Sequence, residues 1–199
     1  MINKDTAPTG FSYIFPWDII YNTFPIFWIA FAFVIGAFAA SLWGVLVYRL
    51  PVIYGVHFTE YSRALIEAAT DDDKTLLNRS HCDKCGRQLS WCNLLPIVGY
   101  LISRGKCSGC GAKIPVVYPI MEGLTGLLCA VALYLTHGSL IVIPFITWMI
   151  LIAWMDDRTQ WIPDGFTLPV IATGLLASLL GITPIPLDSS VEGMLAGFF

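Results

Sequence analysis

The residues with the plainest chemistry in this chain are four cysteines set as two knuckles, Cys82-Asp83-Lys84-Cys85 and Cys107-Ser108-Gly109-Cys110. Two intervening residues let a tight turn aim both sulfurs at one point. Two such turns about twenty residues apart are the sequence form of a four-thiolate zinc site. Gly86 and Gly111 follow the second cysteine of each pair, where a knuckle calls for positive φ. A closed set of four thiolates leaves no open coordination position, so its zinc is structural and supplies folding free energy to a small loop. Two disulfides are the competing outcome, and a reducing compartment favours zinc over them. Cys92 and Cys129 are left over, Cys129 as a small core residue, and His81 is a weaker candidate ligand than the thiolates.

A second group of candidates is carboxylates. The stretch Trp154-Met155-Asp156-Asp157-Arg158-Thr159-Gln160-Trp161-Ile162-Pro163-Asp164 closes one apolar run, and Glu122 interrupts another. Burying such charges is costly, so carboxylates at or inside an apolar span are functional candidates. Hydrolysis by carboxylates needs two of them sharing one proton, because two like charges in contact do not both ionise. The ionised member activates water and the protonated one polarises the scissile carbonyl. Asp156 is the candidate for one member. Asp157 points about a quarter-turn away on a helix, Asp164 lies across a proline, and Asp188 is expected on the opposite side of the membrane. Glu122 needs a partner or a proton of its own.

The elements that must position these groups are apolar helices. Of 199 residues, 56% are apolar and 13% charged, against roughly 25% charged in a soluble domain. The expected class is an all-α integral membrane helical bundle with a cytoplasmic zinc-knuckle loop domain. Spans of about twenty apolar residues are predicted at 24–48, 116–136, 140–155 and 166–182, with a fifth beginning at 191. Nine of the eleven Lys and Arg residues lie between Arg49 and Lys113, which places that segment in the cytoplasm. Two spans later the chain returns to the same side near Asp156. The predicted organisation is a lead at 1–23, a first transmembrane helix at 24–48, a cytoplasmic four-cysteine domain at 49–115, and membrane helices at 116–199. Ala37-Phe38-Ala39 looks like a cleavage site, but the apolar run continues past it, so an uncleaved anchor is expected. Apolar residues Tyr61, Leu65, Ile66 and Ala69 have helical spacing, and Asp71-Asp72-Asp73 reads as a solvated loop. The net charge of −3 gives no basic excess, so no nucleic-acid partner is expected.

Taken together, these residues resemble the prepilin peptidase (type IV leader peptidase) family. Residues 40–51, ASLWGVLVYRLP, are similar to G-S-F-x-N-x-x-I-x-R-L-P, with Ala40 and Gly44 in place of the usual Gly and Asn. RSHCDKC at 79–85 resembles R-S-x-C-x-x-C. Residues 93–100 resemble N-x-x-P-x-x-x-Y, residues 104–110 resemble R-G-x-C-x-x-C, and Tyr118-Pro119 with Glu122 resembles Y-P-x-x-E. Residues 156–164 resemble D-x-x-x-x-x-I-P-D.

The resemblance implies a membrane aspartyl endopeptidase of the bacterial inner membrane, with Asp156 as the first catalytic aspartate and Glu122 and Asp164 as supporting residues. It implies a second aspartate in a G-x-G-D motif. The 199 residues contain no such motif, so the expectation is an N-terminal portion of a longer enzyme. Implied partners are the lipid membrane and pilin-like precursor proteins of type IV pili and type II secretion, whose short basic leader is cut on the cytoplasmic side. Many relatives also methylate the new N-terminus with S-adenosylmethionine, an activity associated with the cysteine-bearing domain. The alternative is a non-catalytic module that recognises such precursors. Residues 52–78 are longer than these motifs require.

Overall fold

The structure, a computed structural model, describes residues 17–69, 80–82, 84–181 and 185–198. The Asp71-Asp72-Asp73 loop lies outside the described residues. Regular structure among the described residues is helical: α1 (Trp17–Thr23), α2 (Pro25–Tyr54), α3 (Glu60–Ala68), α4 (Val98–Ile102), α5 (Val117–Leu135), α6 (Val142–Thr159), α7 (Asp164–Leu179) and α8 (Leu187–Phe198), with a 3-10 turn at Trp91–Leu94. The chain divides into two compact units, one of residues 26–162 and one of residues 1–25 with 163–199.

In the first unit, α2 and α5 are the two helices long and apolar enough to cross a membrane. At 1.5 Å per residue, the 30 residues of α2 reach about 45 Å and the 19 of α5 about 28 Å, against a hydrocarbon core of about 30 Å. The other expected spans are shorter or more charged as helices. α6 has 18 residues and ends on Asp156, Asp157 and Arg158, and α7 has 16.

α2 continues past Tyr48 through Pro51, a ring that removes one backbone donor from the helical ladder. It stops at Gly55, whose φ of 65° lets the amide of Val56 turn back to the Pro51 carbonyl at 2.9 Å. That is the long bond of a Schellman cap.

Small residues line the buried face of α2. Ala32, Gly36, Ala40 and Gly44 recur every four positions along the buried stripe of α2. They let α5 approach until backbones touch. A Cβ on Gly36 would lie 2.9 Å from Cys129 Sγ and 3.0 Å from Gly126 Cα, and one on Gly126 would lie 2.7 Å from the Phe33 carbonyl oxygen. Close backbone approach through small residues is how apolar helices associate when no hydrophobic force drives them together. Leu133, Leu151 and Met155 are fully buried, while many other large apolar side chains point outward, among them Phe27, Phe31, Phe38 and Leu42 on α2, and Leu124, Leu127, Leu128 and Val131 on α5.

In the second unit α7 packs against α8, and the hydroxyls of Ser178 and Ser190 meet at 2.6 Å.

Candidate functional site

The two cysteine knuckles are built alike. In the first, Gly86 N donates to Cys82 O at 2.8 Å, Cys82 N to Arg87 O at 3.0 Å and Leu89 N to Ser80 O at 2.9 Å. In the second, Gly111 N donates to Cys107 O at 2.9 Å, Cys107 N to Ala112 O at 2.8 Å and Ile114 N to Gly105 O at 2.8 Å. Each hairpin carries one β-bridge, His81 with Gln88 and Lys106 with Lys113. The turn glycines take φ of 66° at Gly86 and 72° at Gly111, a conformation that a Cβ would strain. The hairpins meet where Gly109 lacks a side chain, since a Cβ there would stand 2.8 Å from Arg87 Cδ.

Their four Sγ atoms lie within 4.8 Å of one another. Cys82 pairs with Cys110 at 3.8 Å and Cys85 with Cys107 at 3.9 Å. A disulfide needs about 2.05 Å, whereas four thiolates about 2.3 Å from one zinc ion stand about 3.8 Å apart along a tetrahedral edge. The donor set therefore fits a metal such as zinc, and all four cysteines are free thiols. Backbone N–H groups of Cys110 and Gly109 pull the Cys107 thiol down to about 6. The backbone at Arg87 pulls Cys85 the same way, but crowding by Cys110 and the other thiols pushes it up to about 11. Neither His81 nor Cys92 belongs to the cluster among the described residues.

Glu122 is buried in the first turns of α5, 8% exposed. Its partner is the backbone of the loop that follows the first knuckle: Ile97 N–H donates to Glu122 Oε2 at 2.6 Å, and the Ser41 hydroxyl of α2 supports the same carboxylate. Ile97 has φ 60°, ψ −50°, a region that a β-branched residue avoids. The strong hydrogen bond to a carboxylate offsets that strain. Glu122 thus ties the knuckle loop to α2 and α5. No sequence signal marks Ile97 as its partner.

Asp156 is exposed in the last turn of α6. Gln160 ends the helix in the left-handed region, its N–H returning to Asp156 O at 2.8 Å. Side-chain hydroxyls add two more bonds to carbonyls of this last stretch. Buried Thr159 Oγ1 donates to Met155 O at 2.8 Å, and Thr59 Oγ1, ahead of α3, donates to Arg158 O at 2.8 Å. The Arg158 guanidinium lies 5.6 Å from the Tyr61 ring centroid and 3.4 Å from the exposed Asp157 carboxylate. The Tyr54 and Trp161 rings meet at a tilt of 50°, their centroids 5.3 Å apart. Residues 54–61 therefore clasp the end of α6, a role for part of the 52–78 stretch that the motifs leave unexplained. Asp164 is exposed in the first turn of α7, after Pro163 at φ −65°; it belongs to the second unit.

A cavity of about 350 Å³ lies between the knuckles, α2 and the start of α5. Its walls carry Ser41, Tyr48 and Arg49 of α2, His81, Lys84 and Lys113 of the knuckles, Asn93 and Tyr100 of the intervening loop, and Tyr118 and Glu122 of α5. Arg49 is 3% exposed. Tyr118 meets Trp154 edge to face at 6.2 Å, and both rings close over Gly44, where a Cβ would be 3.2 Å from Tyr118. An asparagine in place of Gly44 would crowd this contact.

Comparison with known proteins bears on both halves of this site. Residues 34–136 match the Bacterial Peptidase A24 N-terminal domain, and residues 143–199 match the Type IV leader peptidase family. The chain is 36% identical over 184 residues to a Prepilin leader peptidase/N-methyltransferase of Neisseria gonorrhoeae, covering 86% of this chain and 63% of the relative. A Prepilin leader peptidase/N-methyltransferase of Klebsiella pneumoniae is 32% identical over 181 residues, covering 88% and 72%. A Type 4 prepilin-like proteins leader peptide-processing enzyme of Escherichia coli is 30% identical over 182 residues, covering 90% and 67%. The chain thus spans between 63% and 72% of the length of these relatives. No solved structure matches it. With matches along nearly its whole length, the chain belongs to the bacterial type IV leader peptidase family.

Proposed function

We propose that this chain carries a catalytic carboxylate of a membrane aspartyl endopeptidase that removes the leader from pilin-like precursors. The observation that carries the reading is Asp156: an exposed carboxylate held on a clasped helix end, inside the stretch that matches the leader peptidase family. Its role is one member of a carboxylate pair. The ionised member takes a proton from water as the water oxygen bonds to the scissile carbonyl carbon. The protonated member hydrogen-bonds the carbonyl oxygen, and a proton then passes to the leaving amide nitrogen. Glu122 supports this site indirectly, by tying down the knuckle loop.

Two features support membrane embedding: small residues inside the α2–α5 contact and large apolar ones outside. An exposed apolar surface of this extent is unusual for a soluble monomer and suits lipid. The basic residues of the cysteine domain support a cytoplasmic position for it and for Asp156. The knuckles hold one zinc ion as a staple, for which four thiolates leave no catalytic position. S-adenosylmethionine serves as methyl donor for the new N-terminus, in keeping with the relatives' names.

The test is leader cleavage by the full natural protein in membranes, with wild type beside Asp156→Asn. The amide keeps the shape and loses the ionisable group. Loss of at least about a hundredfold in rate is expected for removing an acid–base group. Cleavage by Asp156→Asn at the wild-type rate would overturn the assignment of Asp156, and no cleavage by the wild type would leave precursor recognition as the function.

A further inference from the structure

We infer that the loop between the two cysteine knuckles is a membrane foot. Its apolar face lies in the boundary between the headgroups and acyl chains of the bilayer, and it holds the cysteine domain down on the membrane surface. The inference rests on the reading of α2 and α5 as membrane spans and goes beyond it by assigning lipid to a stretch outside those spans.

No charged residue occurs from Gln88 to Ser103, although this stretch lies inside the most basic part of the chain. Its apolar side chains do not all turn inward. α4 presents Gly99 and Tyr100 to its own loop: a Cβ on Gly99 would stand 2.5 Å from Asn93 O, and one on Gly105 would stand 2.7 Å from the Tyr100 hydroxyl. Val98, Leu101 and Ile102, spaced i, i+3 and i+4, share the other face. Leu101 is 66% and Ile102 62% exposed, and Trp91 ahead of them is 76% exposed. A helix facing water carries polar residues on that side. An apolar cluster rimmed by charge marks a surface that something covers.

Three observations identify the cover as lipid. The first is depth. Ile97, which leads into α4, donates its N–H to Glu122 at 2.6 Å. Glu122 follows the first residue of α5, Val117, by five positions, about 7.5 Å along the helix. Because α5 is close to the hydrocarbon core in length, α4 begins at the depth of about 5–10 Å where interfacial helices lie. The second is continuity. Ile97 Cδ1 lies 3.9 Å from where a Cβ on Gly123 would stand, and Gly123 shares a face of α5 with the exposed Ile120 and Leu127, three positions before and four after. The third is charge. Lys84, Arg87, Arg104, Lys106 and Lys113 are exposed on either side of the loop, and no Asp or Glu occurs from Lys84 to Met121. Tryptophan beside basic side chains is the composition of a cytoplasmic membrane interface, whose anionic headgroups attract such a rim.

Backbone polar groups at this depth need partners within the protein, because water is scarce there. The N–H groups of Asn93, Gly99, Leu101 and Ser103 reach carbonyls of the loop itself, at 3.0, 2.8, 3.0 and 3.0 Å. Ile97 precedes the helix, and its N–H takes the Glu122 carboxylate instead. The buried carboxylate thus supplies an acceptor where a water molecule would serve in a soluble loop.

The experiment measures the depth of nitroxide spin labels, independent of turnover. Full-length zinc-loaded protein with Cys92→Ser sits in nanodiscs of phosphatidylethanolamine and phosphatidylglycerol. It carries one added cysteine, Val98→Cys, Leu101→Cys or Ile102→Cys. Metal shields the knuckle thiols and Cys129 is buried, so the added thiol takes the label; the Cys92→Ser protein alone is the blank, and zinc content checks folding. Ser108→Cys on the second knuckle is the water reference and Leu127→Cys on α5 the lipid reference, both at exposed positions. Power saturation with oxygen and with a water-soluble nickel chelate reads each environment. Labels on α4 should favour oxygen over nickel at least about threefold more than the Ser108→Cys label does, at a depth of about 5–10 Å. Nickel access equal to that of Ser108→Cys would put this face in water and overturn the inference. Protection from both reagents would mean that protein covers the face, a second copy or another part of the chain, and would equally overturn it. Nickel access at Leu127→Cys as well would sink the membrane reading itself, whereas lipid there beside a wet loop sinks only the foot.

Discussion

Replacing Thr59 by valine should loosen the end of α6 that carries Asp156. The threonine hydroxyl has two duties: it accepts from Ser62 N at 3.1 Å as the cap of α3, and it donates to Arg158 O at 2.8 Å. The second bond serves one of the last carbonyls of α6, which no residue of its own helix reaches. Valine keeps the shape and loses both bonds. An N-cap contributes about 1 kcal/mol and the carbonyl hydrogen bond about 1 kcal/mol. The sum of about 2 kcal/mol is about thirtyfold in the equilibrium between docked and undocked α3. Hydrogen exchange on the full protein in nanodiscs should show amides of 60–68 opening about thirtyfold more often. Leader cleavage should lose kcat by up to the same factor with KM little changed, and Thr59→Ser should restore both. Faster exchange with wild-type kcat would refute the idea that the clasp positions Asp156. Unchanged exchange would show that the two hydrogen bonds carry no weight.

Other outcomes follow from the geometry. Gly126→Ala forces a Cβ to within 2.7 Å of the Phe33 carbonyl oxygen and should cost roughly 1–3 kcal/mol, read as a lower unfolding temperature in detergent. Gly174→Ala, inside α7 with nothing within 4 Å of the added Cβ, should instead stabilise by about 0.5–1 kcal/mol. Glu122→Ala leaves Ile97 N–H without its acceptor and should cost about 1–3 kcal/mol, visible as faster exchange across 95–99. Metal analysis should find about one zinc per chain, lost in Cys107→Ser. Its pH dependence has a defined sign. Zinc binds thiolates, and Cys107 with a pKa of about 6 is already ionised at neutral pH, while Cys85 at about 11 must release its proton on binding. Affinity therefore rises with pH. Below about pH 6, where Cys107 regains its proton, affinity should fall about tenfold more steeply per unit, as competition with a chromophoric chelator would report.

Features set by neighbours in the chain were legible in the sequence. The Cys-x-x-Cys spacing with its following glycine dictates a turn that needs no outside partner, and both knuckles fold that way. The long apolar runs of α2 and α5 show in composition alone, as does the helical spacing in 59–69 that becomes α3. Asp156 at the end of an apolar helix was readable because charge stops an apolar run. The tertiary structure decided what depends on residues far apart in sequence. The Glu122 carboxylate takes an amide 25 positions away, and the Thr59 hydroxyl takes a carbonyl 99 positions away. Neither pairing leaves a periodic trace, because a backbone N–H or C=O is the same at every residue. The stripe Ala32, Gly36, Ala40, Gly44 is visible in the sequence, but which helix it admits depends on Gly126 meeting Phe33. The cavity is likewise assembled from three separate stretches, so its shape exists only once the knuckles are folded against α2 and α5.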